Sequence, residues 1–227
     1  NEQGIKFFHT NDGEVNPDVQ ARNGEDSSAS GAYATAVGFQ AASKGTNAIA
    51  IGKGAKASAE NTIAIGTGNI VSGKNSGAIG DPTVVSGNSS YSIGNNNNVS
   101  ADNAYALGSN IKATVKDSVY LGDRAQTQGI HTADAAKGEA YTYGGLNDKA
   151  VAGKAGSAAA ANKVAGVVTV GNGTDETRQV QGVAAGVVSA DSTDAINGSQ
   201  LYYTNQAIAN VATQATAAKT EVTAGKN

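Results

Sequence analysis

Cysteine, methionine and tryptophan are absent from this sequence of 227 residues, and there are only two prolines and two histidines. Without cysteine the chain has no disulfides and no thiolate metal sites. No apolar run is long enough to span a bilayer. The net charge is only −3, from 16 basic and 19 acidic residues, so the chain lacks a strong electrostatic basis for binding nucleic acid or an anionic membrane.

Large apolar side chains are also scarce. Leu, Ile, Val and Phe together number 39, whereas there are 42 Ala and 30 Gly. This fraction, roughly 17%, is too low for a conventional thick core. The sequence starts at Asn1 without an initiator methionine or a visible signal peptide, so we interpret it as a piece of a longer protein.

A glycine recurs at every fourteenth position, which indicates an internal repeat. A large apolar residue precedes each glycine, and small residues alternate with large ones just upstream, which is the periodicity of a β-strand. The recurrent glycine predicts a backbone position with positive φ or close approach of neighbouring coils. The seven glycines are Gly38, Gly52, Gly66, Gly80, Gly94, Gly108 and Gly122.

A second, shorter strand is predicted in the other half of each unit, where an apolar residue is followed by serine or threonine. Its apolar positions are Ala57, Val71, Val85, Val99 and Ala113. Two short strands and two turns leave no room for a helix, so successive units should stack as the coils of a parallel solenoid. The predicted fold class is an all-β solenoid with an α-helical C-terminal segment.

Asparagine recurs at one point of the unit, at Asn47, Asn61, Asn75 and Asn103. Stacking of the coils would place these side chains in a column, where their amides can hydrogen-bond along the rod. Two interpretations compete, a structural ladder that caps the turns and a polar stripe that binds a ligand. We favour the ladder because Asn, Gly and Ser dominate turns for backbone reasons.

Each coil has too few large apolar side chains to offset the entropy of ordering its backbone. We therefore expect an obligate oligomer whose subunits pack through the sides of their solenoids. The face of small residues, which includes Ala48, Ala50, Ala64 and Ala78, is predicted to be the surface on which another chain packs.

The repeat ends at Gly122, and residues from about 124 to 164 follow no regular pattern before strand-like sequence returns at Ala165. From Ser199 onward a heptad pattern predicts a helix, with Leu201, Ile208, Ala215 and Val222 spaced by seven. This pattern is typical of the start of a coiled coil, and a β-branched residue at a core position suits trimers as well as dimers.

The repeats and the motif that follows them resemble the YadA-like trimeric autotransporter adhesins of Gram-negative bacteria. The repeats include NAIAIG at 47–52 and NTIAIG at 61–66, and the motif is RQVQGVAAG at 178–186 followed by STDAINGSQL at 192–201. The segment GIKFFHTN at 4–11 is similar to the opening of such heads, and residues 141–171 resemble an insert found between head and neck.

The resemblance implies a trimeric, left-handed parallel β-roll head at 1–123, a head insert at 124–164, a final head strand and neck at 165–198, and the start of a coiled-coil stalk at 199–227. It further implies a location on the bacterial surface, with an outer-membrane β-barrel anchor beyond this chain. The implied partners are two further copies of the chain and host extracellular matrix proteins such as collagen, fibronectin and laminin, or cells. Attachment to surfaces, autoaggregation, biofilm formation and virulence belong to the same expectation, and nucleic acid is not an expected partner.

Collagen binding in such heads is linked to NSVAIG-type repeats, which implies the ligand-binding candidates Asn47, Ile49, Ile51, Asn61, Ile63, Ile65, Asn75 and Asn103. This sequence departs from the family form at Gly77, Tyr91 and Tyr105, where the family has Val, and at Ser89 and Asp117, where it has Asn.

The neck has to carry each chain from a wide roll to a narrow helical bundle while its backbone polar groups stay paired. Side chains that bond between chains are expected to achieve this, and the candidates are Asp191, Asp194, Asn197 and Gln200. Leu201 and Ile208 are expected in the core of the trimeric coiled coil.

Enzymatic activity has little support in the sequence. His9 and His131 lie in distant segments, and no HExxH, GxSxG or P-loop pattern occurs. We therefore predict no catalytic site, no metal site and no cofactor. A repeat of 14 residues does not fit the coil of the hexapeptide acyltransferases, which has three sides of six residues. The threonines do not recur at one point of the unit, so the sequence lacks the column of threonines that an ice-binding solenoid needs. The remaining alternative to an adhesin is a structural spacer without a ligand of its own.

Overall fold

The computed structural model describes residues 7–10, 26–127, 129–130, 142–144, 150–152, 165–189 and 192–225. The chain divides into two compact units. The first comprises Asn1–Thr132 and Val164–Arg178, and the second comprises Ala133–Lys163 and Gln179–Asn227.

The first unit is a parallel β-roll with a nine-stranded sheet on one side. Each strand pairs with its equivalent in the next repeat, so that Ile49 lies opposite Ile63 and Ile51 opposite Ile65. The first strand joins antiparallel at one edge, and the last adds in parallel at the other. In order across the sheet the strands are β1 (Phe8–Thr10), β3 (Thr35–Val37), β5 (Ile49–Ile51), β7 (Ile63–Ile65), β9 (Gly77–Ile79), β11 (Tyr91–Ile93), β13 (Tyr105–Leu107), β15 (Val119–Leu121) and β18 (Val168–Thr169).

A seven-stranded parallel sheet of two-residue strands forms the other side of the roll. Its strands are β2 (Ser28–Ala29), β4 (Ala42–Ser43), β6 (Lys56–Ala57), β8 (Ile70–Val71), β10 (Val84–Val85), β12 (Asn98–Val99) and β14 (Lys112–Ala113). Each coil contributes one strand to each sheet. The predicted parallel solenoid of short paired strands is therefore confirmed.

Small side chains fill the inside of the roll. Ala50, Ala64 and Ala78, at the centres of successive strands, have no exposed surface, and Val71 and Val85 face them from the other sheet. The prediction that a second chain packs on the alanine face is wrong, because these alanines line the inside of the coils and leave no surface for a partner. The isoleucines on either side of Ala50 and Ala64 are turned outward, whereas two larger side chains, Ile111 and Tyr120, are enclosed near the end of the roll.

Buried polar side chains occupy the corners of the coils and bond to the backbone there. The amide nitrogen of Asn97 donates to the Gly108 carbonyl over 2.8 Å, and its oxygen accepts from the N–H of Ile111 over 2.9 Å. Ser90 donates to the Ala101 carbonyl over 2.8 Å and accepts from the N–H of Ala104. These bonds pair backbone groups that the turns leave without a strand partner.

The second unit contains an antiparallel hairpin and the C-terminal helix. The hairpin pairs β16 (Thr142–Gly144) with β17 (Ala150–Ala152). The helix α1 spans Gly198–Ala224 and begins at the N-cap Asn197. The helix predicted from Ser199 onward is therefore confirmed, and the structure starts it one residue earlier.

Candidate functional site

The predicted asparagine column is present on one edge of the roll, at the turn before each strand of the nine-stranded sheet. Asn47 donates from Nδ2 to Oδ1 of Asn61 over 2.9 Å, and Asn61 donates to Asn75 over the same distance. All three have φ between 53° and 56°. Asparagine tolerates this left-handed conformation better than most residues because its short side chain bonds locally.

The column is interrupted at Ser89, which keeps a positive φ of 53° but has no amide group. At this coil the bond to the next coil is made one residue earlier, where the N–H of Asn88 donates to Oδ1 of Asp102 over 2.7 Å. The original column resumes where Asn103 donates to Asp117 over 3.0 Å. The candidate Asn103 is thus separated from the other three ladder residues by a stretch with different surface chemistry.

A second ladder follows the opposite turn of the coil. Asn96 donates to Asn110 over 2.8 Å, and Asn110 donates to Asp123 over 2.8 Å. Gly54 and Gly68 occupy the same point of earlier coils with φ of 67° and 71°. Sequence reasoning missed this ladder, although its regular step was visible, because both glycine and asparagine occur at this point of the unit.

The four isoleucine candidates lie beside the first ladder on the outward face of the nine-stranded sheet. Ile49 and Ile51 stand directly opposite Ile63 and Ile65 on the neighbouring strand. Each is partly exposed, and Ile51 keeps 37% of its surface accessible. The structure therefore brings these candidates together, and their contact with a ligand stays a prediction.

This outward face is most exposed across three coils in the second half of the roll. Ile79, Ile93 and Leu107 are 47%, 52% and 54% exposed at the same point of three successive coils. Beside them the rings of Tyr91 and Tyr105 stack, with centroids 6.1 Å apart and planes 13° from parallel. We call these five side chains the apolar column.

Gly77 is the point at which this face lacks a large side chain. A Cβ at this residue would lie 2.7 Å from Cε1 and 2.8 Å from Cδ1 of Tyr91. The tyrosine ring therefore covers the space that an aliphatic side chain fills in other coils. The two departures from the family repeat at Gly77 and Tyr91 thus compensate each other.

Arg178 completes the last coil of the roll. Within the repeat, the carbonyl at this turn accepts a bond from the next coil, as when the N–H of Arg124 donates to Ser109 over 2.8 Å. The equivalent carbonyl of Asp123 accepts from Nη2 of Arg178 over 2.9 Å, and Nη1 donates to Val170 over 2.7 Å. A guanidinium group thus takes the place of the N–H groups of a further coil, a role that the sequence motif did not reveal.

Charged side chains join the same end of the roll. Arg124 pairs with Asp123 over 3.1 Å and also with Glu176. The amide of Asn110, which donates to Asp123, and the Arg124 guanidinium lower the pKa of the Asp123 carboxyl from its usual 3.8. Both partners stabilise the charged form.

The neck candidates bond within their own chain. Asn197 accepts from the N–H of Gln200 over 3.2 Å while the Gln200 side chain accepts from the Asn197 N–H, which is a capping box. Gln200 also donates to the carbonyl of Gly186 over 2.7 Å, and Asp194 accepts from the N–H of Val187 over 2.9 Å. The predicted bonds between chains stay a prediction.

Asp191, the remaining neck candidate, lies outside the described residues. Leu201 and Ile208 are 58% and 61% exposed, and the helix has no buried residue. The heptad side chains are therefore open to a partner along the whole helix, as the coiled-coil prediction requires.

Within the described part of the chain, no group of three His, Cys, Asp or Glu side chains could hold a metal ion. In the same residues, no helix combines the length and the hydropathy needed to cross a membrane.

Two families of sequences match this chain, and together they cover more than half of it. The YadA head domain repeat matches residues 23–41, 43–69 and 86–110, and the coiled stalk of trimeric autotransporter adhesin matches residues 179–224. The head matches leave out residues 70–85, which contain the irregular Gly77.

Two solved structures are similar to the chain. The C-terminal YadA-like domain of a Burkholderia pseudomallei protein is 27% identical over 61% of this chain, with a TM-score of 0.37. The chain spans 53% of that domain. The collagen-binding domain of the Yersinia adhesin YadA is 22% identical over 88% of this chain and 97% of its own length, with a TM-score of 0.35. The head and stalk matches together span more than half of the chain, and the chain belongs to the YadA-like trimeric autotransporter adhesins.

Proposed function

We propose that this chain is the head, neck and first part of the stalk of a bacterial surface adhesin, which acts as a homotrimer and attaches to host extracellular matrix or cells. The family and the fold point to a non-enzymatic, adhesive protein. The single observation that carries the proposed assembly is the apolar column, which lies on the outward face of the nine-stranded sheet and contains no charged side chain.

Exposed apolar side chains of this size are a strong driving force for association. Full burial of Ile79, Ile93 or Leu107 contributes about 1.5 to 3 kcal/mol each, and about half of that surface is still accessible in the single chain. An interface between rolls would recover this energy and supply the core that each thin coil lacks. The exposed helix supports the same assembly, since its heptad residues are uncovered along their length.

This assembly divides the ligand candidates into two groups. Ile49, Ile51, Ile63 and Ile65 share the sheet face of the apolar column and would lie at or near the interface between subunits. The ladder of Asn47, Asn61 and Asn75 lies on the edge of the roll and stays accessible for a ligand such as collagen. Fibronectin, laminin and contacts between adhesins, which would produce autoaggregation and biofilm, belong to the same proposal.

The division of the chain is part of the proposal. We assign the head to residues 1–123, the insert to 124–164, the last head strand and neck to 165–198, and the stalk to 199–227. In the trimer, Asp191, Asp194, Asn197 and Gln200 would also bond between chains at the neck.

Sedimentation of the purified chain at micromolar concentration tests the assembly. The chain should sediment as a trimer, and Ile93→Asp should dissociate it because a carboxylate would be buried in the interface. Ile70→Asp is the matched control, since Ile70 is 39% exposed on the opposite sheet, and this variant should stay trimeric. A folded monomer, or equal dissociation by both variants, would contradict the proposed interface.

Solid-phase binding tests the ligand. The purified trimer is applied to immobilised collagen, fibronectin and laminin, to cultured cells and to plastic, with an unrelated coiled-coil trimer as control. Binding above the control to a matrix protein or to cells supports an adhesive head. Absence of binding to all of them would favour the structural spacer.

A further inference from the structure

A groove lies on the outward face of the seven-stranded sheet, at the end of the roll away from the N-terminus. It has a volume of about 650 Å³. Its floor is formed by Val84, which is 38% exposed, and by Pro82. Asn98 and Lys112 continue the same row of outward side chains on β12 and β14. This face is the one that the proposed trimer interface leaves open.

One wall of the groove is held in place by hydrogen bonds. The side-chain oxygen of Asn172 accepts from the N–H groups of Thr174 and Glu176, each over 3.0 Å. Gln126, which lines the same end of the groove, donates from its N–H to the carbonyl of Gly171 over 2.9 Å. A wall fixed in this way needs little ordering when a ligand binds.

The groove contains polar side chains that lack partners within the protein. Among the residues that the structure describes, Lys112 has no acidic side chain within ion-pair distance, and the side-chain amides of Asn98 and Gln126 make no hydrogen bond. Arg124, which also borders the groove, is by contrast paired with acidic side chains. The groove therefore combines one uncompensated positive charge, two free amides and an aliphatic floor.

We propose that this groove binds a saccharide that carries a carboxylate, such as a sialic acid or a uronic acid. The Lys112 ammonium would donate charge-assisted bonds to the carboxylate. The amides of Asn98 and Gln126 can both donate to and accept from sugar hydroxyls. Val84 and Pro82 offer an apolar surface for the C–H face of a sugar ring. The inference rests on the proposed adhesive function and names a ligand class for it.

Other anions fit the groove less well. A polyphosphate or a heavily sulfated chain needs several cations, whereas Lys112 is the only groove cation in the described residues without an acidic partner. The nearby Glu176 and Asp175 carboxylates would repel a multiply charged ligand. A single carboxylate on an otherwise neutral sugar matches this balance of charge.

Calorimetric titration of the full chain tests the proposal. The probes are sialyllactose, a disaccharide that contains glucuronic acid, and lactose as the neutral reference. At least one acidic probe should bind more tightly than lactose. Lys112→Gln should weaken that binding about tenfold, as expected for loss of a charge-assisted hydrogen bond.

Lys56→Gln is the matched control, because Lys56 has the same outward position on β6 and lies four coils from Lys112. It should leave the affinity unchanged, and circular dichroism should show that both variants are folded. A preference for sialyllactose would indicate the termini of glycoprotein glycans, and a preference for the uronic acid would indicate an unsulfated chain that contains uronic acid. Either result supports the proposal.

Three results would overturn it. The first is equal weakening of binding by both lysine variants, which would indicate an effect of diffuse surface charge. The second is binding of lactose as tight as that of the acidic probes. The third is no binding of any probe at about 10 mM. Adhesion to matrix proteins is measured separately, so the absence of saccharide binding in the groove can be distinguished from the absence of adhesive function.

Discussion

Replacement of Gly66 by alanine should destabilise the roll far more than the same replacement at Gly54. Gly66 has a φ of 122°, and a Cβ there would lie 2.8 Å from the carbonyl carbon of Gly80 and still closer to its oxygen. Gly54 has a φ of 67°, and its nearest neighbour would be the Cα of Gly68 at 4.0 Å. Both residues are in turns of the same region, so the pair isolates the effect of close packing between coils.

The magnitude follows from the contacts around Gly66. Carbon atoms in contact are normally about 3.5 to 4.0 Å apart, so the coils would have to separate by about 1 Å. That shift would break two bonds between these coils, from the N–H of Gly80 to Ile65, 3.0 Å, and from the side chain of Asn69 to the Gly80 carbonyl, 2.6 Å. Two lost bonds at about 1 kcal/mol each and backbone strain of about 1 to 3 kcal/mol give a cost of about 3 to 5 kcal/mol.

The cost at Gly54 is smaller because only the backbone conformation is unfavourable. A left-handed alanine costs about 1 to 2 kcal/mol, partly offset by about 0.4 to 1 kcal/mol from the reduced entropy of the unfolded chain. Thermal unfolding followed by circular dichroism should show Gly66→Ala lowering the Tm by on the order of 10 °C and Gly54→Ala by only a few degrees. Equal shifts, or a larger shift at Gly54, would refute the role assigned to coil spacing.

Three further predictions concern the end of the roll and the neck. Arg178→Gln should destabilise the roll, because the carbonyl of Asp123 loses its donor. Urea titrations should show a free energy of unfolding lower by about 1 to 3 kcal/mol, and the Tm should fall. Replacement of both Asp194 and Asn197 by alanine should lower the Tm of the oligomer, since a cap alone contributes about 1 kcal/mol. The folded pKa of Asp123 is lowered, so its contribution to stability is present above pH 3.8 and is lost as the pH falls below it. Thermal melts of Asp123→Asn and of the unmodified chain should therefore converge at low pH.

Matched variants make these tests decisive. Arg178→Lys keeps the charge but has no planar fork, so a Tm equal to that of the unmodified chain would exclude the proposed pairing of the last coil. Asp194→Asn with Asn197→Asp keeps polar atoms at both neck positions and should be milder than the double alanine variant. A Tm difference between Asp123→Asn and the unmodified chain that does not change with pH would contradict a charged role for this carboxylate.

The local chemistry of the repeat was predictable because each unit repeats it. The step of 14, the positive φ of the recurrent glycine and the hydrogen-bonded asparagine column all follow from stacking similar units. The helix and its cap were predictable for a similar reason, since heptad spacing and the Asn197 side chain act over a few neighbouring residues. The second ladder shares the step but was missed, because Gly54, Gly68, Asn96 and Asn110 differ in residue type while sharing one backbone conformation.

The sequence by itself determined that the chain forms a thin solenoid with two strands per coil and a helix at the end, since period and turn chemistry are local properties. Only the tertiary structure decided which side chains lie inside. Alternation along a strand separates Ala50 from Ile49 and Ile51, but it does not say which face is enclosed. In the structure the alanine face of these strands is enclosed, and the isoleucines of the same strands face outward. The closing role of Arg178 and the groove around Lys112 also depend on tertiary structure, because they join residues of different coils and of the segment that follows them.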